Sequence, residues 1–380
     1  GLTLPQLTVN GAVNLMSDIR TSGAQSYNGA VTVLSGNAVN GVVTPMQFVT
    51  DNANITFAST LDAGTDSLST KRSISINAGT GQVTFGDRVG ALNTTFSSFL
   101  NRSADLSPYE LTVTAGSILV KGDIVTFEKQ TYYGDVIVSD NGSNGSSRLF
   151  LSEDPSIIFY GRVDDSVANT HTLIIKAITY NATDVPVVKI MDDVGSLTPL
   201  LSLKAATGRQ DISSLNTLMS DISADPTNFV GQLTIAGNVL TSGNQTYTAQ
   251  NIQFGNSVSA TPNNLLFGTS GGVITFNTGT TNPPFVMNGP NGGLLQFKLG
   301  GGSVTGLSLT ALTNAGINYQ MEVLPTTTDS EDIYLPMRKV FKPELIDVSG
   351  IVDVAVGDLE SANDCGKENA ADSECKAVNQ

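Results

Sequence analysis

Apolar residues along this chain come in short runs that alternate with polar ones, as in Ile55-Thr-Phe57, Ser73-Ile-Ser-Ile76 and Gln82-Val-Thr-Phe85. Alternation with a period of two predicts strands with one buried face. The runs stop at Gly, Asn or Asp, residues that accept the positive φ of tight turns. Strand starts recur at roughly 8–12 residues, the spacing of turn-rich all-β proteins.

The runs repeat on a longer scale. Asp18-Ile-Arg-Thr-Ser-Gly-Ala-Gln-Ser-Tyr-Asn-Gly-Ala-Val-Thr-Val33 returns as Asp123–Val138 and again as Asn238–Gln253. The shared core is Gln-Ser/Thr-Tyr, at Gln25/Tyr27, Gln130/Tyr132 and Gln245/Tyr247, so the tyrosines lie 105 and then 115 residues apart. Ile55-Thr-Phe57 and Ile157-Ile-Phe159 follow in the first two units, and the third keeps Ile252-Gln-Phe254 and Val273-Ile-Thr-Phe276. Self-similarity of this kind predicts a stacked array, in which one coil cannot bury its apolar face and a stack can.

The expected fold is therefore all-β: a parallel β-helix over residues 1–316, with super-repeats at about 15–122, 123–237 and 238–316. Two or three strands per coil give coils of roughly 20 residues. That implies on the order of 16 coils, rising roughly 75 Å at strand-to-strand spacing. The competing reading is one or more antiparallel sandwiches, since a three-fold super-repeat also suits three domains. Two segments carry helical spacing instead: Leu92, Phe96, Phe99, Leu100, and Ile212, Leu215, Leu218, Ile222. Residues 317–356 contain Pro325, Pro336 and Pro343, which disfavour central ladder pairing, and are expected to cap the stack. Residues 357–380 are expected to form an acidic tail.

Composition narrows the function. The net charge is −15 and only 14% of residues are charged. Without a basic cluster, a nucleic-acid partner is excluded. The acid concentrates at the end, where residues 343–380 hold nine Asp or Glu against Lys367 and Lys376. Both cysteines, Cys365 and Cys375, also lie there. Their absence elsewhere suits a secreted protein, and such a close pair can form a disulfide in an oxidising space. No run of about 18 apolar residues predicts a membrane-spanning helix.

Thr21-Ser-Gly-Ala-Gln-Ser-Tyr-Asn-Gly-Ala-Val-Thr32, Ile74-Ser-Ile-Asn-Ala-Gly-Thr-Gly-Gln-Val-Thr-Phe-Gly86 and the Asp-Val-Gly and Arg-Val-Gly ends resemble the filamentous-haemagglutinin-like exoproteins of two-partner secretion. The likeness covers about residues 15–300. It implies a right-handed parallel β-helix, exported unfolded through an outer-membrane pore and folding outside. The Asn-Pro-containing N-terminal secretion domain of that family is not visible, which implies a C-terminal portion. Cys365/Cys375 looks like the C-terminal disulfide loop of the high-molecular-weight adhesins, which tethers them to the partner pore at the bacterial surface. Self-association, and a receptor or glycan of unknown identity on a host or bacterium, complete the expected partners.

Candidate chemistry is sparse. His171 is the lone histidine and reads as a surface or turn residue rather than a catalytic base. Gly268-Thr-Ser-Gly-Gly272 matches the nucleophile-elbow pattern, but no helix is predicted after it. Asp164/Asp165 and Asp192/Asp193 read as solvated turn carboxylates, because calcium needs six or more converging oxygens. Asn54, Asn93, Asn101, Asn141, Asn144, Asn181 and Asn244 satisfy the glycosylation pattern. The expectation is a non-enzymatic adhesin with no cofactor and no metal. A filament subunit and a β-helix polysaccharide enzyme are the alternatives.

Overall fold

A computed structural model describes residues 4–34, 44–64, 71–91, 106–142, 146–153, 156–179, 183–209, 229–256, 263–279, 284–288 and 293–324. The chain divides into two units, Gly1–Leu335 and Pro336–Gln380, and every described residue belongs to the first. The protein is all-β with parallel sheets. Every strand pairing among the described residues is parallel, which rules out antiparallel sandwiches there.

Three ladders are visited in fixed rotation. Leu7–Val9 opens the first, Val13–Leu15 the second and Ile19–Thr21 the third; Gln25–Tyr27 then returns to pair with Leu7–Val9. In the first ladder, Leu7, Gln25, Ile55, Val83, Ile118, Val136, Val163, Val194, Val239, Phe267, Phe297 and Met321 stack one above another. These twelve levels make eleven steps, a rise of about 53 Å at strand spacing. The expected coil of roughly 20 residues is thus too short. One circuit takes 18 residues from Leu7 to Gln25 but 45 from Val194 to Val239, because the number of residues between successive strands varies, as between Arg209 and Gln232.

Inward positions of all three ladders form one continuous apolar core that includes Phe48, Phe85, Ile118, Phe150, Ile175, Ile235 and Phe297. The repeated Gln-x-Tyr core explains itself here. Gln25, Gln130 and Gln245 are buried, and each Nε2 donates to a carbonyl one circuit later: Val49 at 2.8 Å, Leu151 at 2.7 Å and Gly268 at 2.7 Å. Each Oε1 accepts from the tyrosine two residues on, at 3.1, 2.9 and 2.9 Å. Each tyrosine stacks on the Phe above it, Phe57, Phe159 or Phe276, at 5.1, 5.0 and 5.1 Å. A second ring, Phe48, Phe150 or Phe267, meets it edge-on.

The three copies do not stack on each other. Tyr27 lies in the first ladder, Tyr132 in the third and Tyr247 in the second. Eleven ladder positions separate one copy from the next in both intervals, which is three circuits and two-thirds. Each copy therefore builds a different corner of the stack. The super-repeats are a rotated series and not three domains.

The Asn and Asp residues before strands also serve a purpose other than the expected one. Among described non-glycine residues only Asn52 and Asn169 have positive φ. Instead, Asp18, Asn54, Asp123, Asp135, Asp193, Asn238, Asn244 and Asn264 accept, through Oδ1, the backbone N–H of the residue one circuit above. In all of these but Leu294 the N–H lies one residue before pairing with the circuit below begins, so it is satisfied where that ladder cannot yet serve it. Glycine is required where the corner is tightest. Gly134 has φ +138°, and a Cβ there would lie 2.0 Å from the Ala115 carbonyl oxygen.

The array continues past residue 316. Asn318–Leu324 pairs in parallel with Gly293–Gly300, so these residues of the expected cap belong to the array. Before this strand, Leu309–Asn314 forms a helix that the sequence reading missed, although Ser308 caps its start and Gly316 follows its end with φ +69°. The rest of the cap, the tail and both helically spaced segments lie outside the described residues.

Candidate functional site

The densest set of ionisable side chains lies beside the edge between the first and second ladders, spread over three circuits. It corrects the reading of His171. The ring is 1% exposed, with Nδ1 2.5 Å from Asp165 Oδ1 and Nε2 3.0 Å from Asp140 Oδ2. A carboxyl oxygen faces each nitrogen, so both ring nitrogens have hydrogen-bond partners. Asp165 is buried too. Its Oδ1 accepts from the Val167 N–H, and its Oδ2 from those of Thr170 and His171. This is a buried carboxylate at the end of the strand Val163–Asp165, not a solvated one.

The set extends downward. Arg148 is fully buried and donates to the Ser139 and Ser147 carbonyls. Burial lowers its pKa even though Asp123 and Asp140 pull the other way. The hydrogen bond from His171 holds the Asp140 carboxyl below the usual range, while burial raises that of Asp123. Asp123, Arg148, Asp140, His171 and Asp165 thus form a chain of polar groups across these circuits. Neither imidazole nitrogen is free to act as a base toward a substrate, so the arrangement is suited to holding circuits together.

No family model, curated protein or solved structure matches this chain. Its function must be read from its own residues.

The other candidates resolve one by one. Asp164 is buried, and its Oδ1 accepts from the Leu197 and Thr198 N–H groups at 3.0 and 3.3 Å, which corrects its solvated reading as well. Asp192 is exposed and accepts from the Asp193 N–H. Among the described residues no group of three His, Cys, Asp or Glu is placed to hold a metal. Gly268-Thr-Ser-Gly-Gly272 is a corner: Ser270 Oγ donates to the Ser242 carbonyl at 2.9 Å, and a strand, Ile274–Thr278, follows. Asn54, Asn141 and Asn244 are exposed. Asn93, Asn101, Asn144, Asn181, Cys365 and Cys375 lie outside the described residues.

Two surface features had no sequence signal. Tyr133 and Tyr160, 44% and 45% exposed, stack across adjacent circuits. Beside them Asp135 and Arg162 form an ion pair at 2.5 Å, and the Arg162 guanidinium lowers the Asp135 pKa.

Asp193 offers a pH test. Burial is the largest influence and raises its carboxyl above the ordinary 3.8, with Asp192 and Asp164 adding to the rise. Its charged form is therefore disfavoured in the folded chain: stability is fully present below the ordinary value and is lost as pH rises through the raised one. Asp193→Asn keeps an oxygen for the Asn238 N–H. It is expected to stabilise the protein at neutral pH, with the gain fading on acidification. Denaturation midpoints at neutral and acid pH check this, and a gain that persists in acid contradicts it.

Proposed function

We propose that this chain is the C-terminal portion of a bacterial surface adhesin, a right-handed parallel β-helix secreted by the two-partner route and without enzymatic activity. What supports this reading is where the repeated residues go. The Gln-x-Tyr cores, which carry much of the resemblance to filamentous-haemagglutinin-like exoproteins, are buried and hold successive circuits together. Outward positions along the strands are largely Ser, Thr, Asn and Gln. Such a stack is a display scaffold, growing by circuits and presenting excursions at its corners. In this reading the chain is extracellular and tethered by a Cys365–Cys375 loop to an outer-membrane pore, and it presents a surface to a host or bacterial receptor or glycan.

The test is retention on the producing cell. With the partner pore co-expressed, the wild-type chain is expected in the outer-membrane fraction, and Cys365→Ser in the medium. Equal release of both would overturn the tether, and failure of either to leave the cell would overturn the secretion route.

One observation favours self-assembly as a second reading. Tyr319, Met321 and Val323 are 38%, 44% and 66% exposed, although they stack on the buried Leu295, Phe297 and Leu299. Among the described residues no further strand pairs with theirs on the other side, which leaves a parallel edge. Rods that lengthen with concentration in electron micrographs are the outcome that selects it.

A further inference from the structure

We propose that Tyr133 and Tyr160 are a site of oxidative cross-linking, at which a peroxide-driven haem peroxidase joins the two rings into a dityrosine that staples two adjacent circuits. The argument is geometric. Their ring centroids are 4.7 Å apart with planes 4° from parallel, a face-to-face contact from which rotation of the exposed side chains brings the ortho carbons together. They are neighbours in register, because Tyr132 pairs with Phe159 one position earlier. Both face solvent and are about half exposed, so an oxidant reaches them. The three buried tyrosines of the Gln-x-Tyr cores stack on phenylalanines instead.

The surroundings favour the pair. Glycines follow both tyrosines, and a Cβ on Gly161 would lie 2.4 Å from the Gly134 carbonyl oxygen. The backbones at this corner are therefore held close, and the rings arrive together. Partial burial, and then the Tyr133 phenol beside it, raises the pKa of Tyr160. The Tyr160 phenol is thus protonated at neutral pH and loses hydrogen only to an oxidant.

The chemistry balances without help from this protein. Hydrogen peroxide, acting through the peroxidase, removes one hydrogen atom from each phenol and is reduced to two waters. The two phenoxyl radicals join through the ring carbons ortho to oxygen. Each ring regains aromaticity as its displaced ortho hydrogen moves, as a proton, to the phenol oxygen. Holding both radicals in one stack makes this coupling intramolecular and faster than capture by a second molecule.

The test is dilute full-length protein treated with peroxide and a haem peroxidase. Expected are dityrosine fluorescence, an intact mass lower by two hydrogen atoms, a linked peptide containing Tyr133 and Tyr160, and a higher unfolding temperature. Tyr133→Phe and Tyr160→Phe keep the stack but should lose the fluorescence, the mass change and the temperature shift together. Tyr319→Phe, which alters another exposed tyrosine, should lose none of them. Covalent dimers in place of the linked peptide, or coupling that survives both variants, would overturn the proposal. Neither result bears on secretion or tethering, so it fails separately from the adhesin reading.

Discussion

Tyr132→Ala is expected to destabilise the stack by about 3–5 kcal/mol, the range for removing a large ring from a packed core. Tyr132 is fully buried, stacked on Phe159 and met edge-on by Phe150. Its hydroxyl also donates to Gln130 Oε1, whose amide ties the Leu151 carbonyl of the next circuit. Tyr132→Phe keeps the ring but removes that donor, so a smaller loss, about 1–3 kcal/mol, follows from leaving a buried acceptor unpaired. Because a stacked array is stabilised by neighbouring circuits, the damage should be local. Hydrogen exchange should quicken first in Gln130–Val138, Ser147–Ser152 and Ser156–Phe159. Tyr27→Ala and Tyr247→Ala should cost similar amounts, since the same contacts recur on the other two ladders. Widely different losses at the three tyrosines would mean that the copies are not equivalent.

His171→Ala is expected to cost about 3 kcal/mol, in line with leaving a buried polar group without one of its hydrogen-bond partners. The reason is Asp165, whose side chain is 0% exposed and would keep three backbone donors but lose the His171 ring. Asp140 is 44% exposed, so water can replace the His171 ring there, and Asp140→Asn should change stability little by comparison. The order of the two variants is the test, measured by denaturation at neutral pH and by exchange of the loop from Asp165 to Thr172. A larger loss for Asp140→Asn would show that the outer contact, not the buried one, holds the circuits together.

Much of the fold was legible before any coordinates. Ile55-Thr-Phe57, Ile74–Asn77 and Gln82–Phe85 are strands where alternation places them, because a period of two is a property of neighbouring residues. The three Gln-x-Tyr copies were visible for the same reason, and their spacing implied repetition. Other features depend on distant neighbours. His171 looks like a turn residue from Asn169-Thr-His-Thr-Leu173, yet its second carboxylate is 31 residues away. Tyr133 and Tyr160 are 27 positions apart, with nothing local to pair them. The helix at Leu309–Asn314 had only its cap residues to announce it.

Local pattern thus decided which residues form strands, which side chains face inward and that the chain repeats. The closed stack decided which ladder each strand joins and how many residues a circuit consumes. It also decided which charges meet at the edge between ladders. The physical reason is the length of the excursions. Side-chain alternation is set within a few residues, but the level at which a strand lands depends on the turns and loops before it. These vary from circuit to circuit, and only the hydrogen-bonded register of the assembled ladders settles where each strand comes to rest.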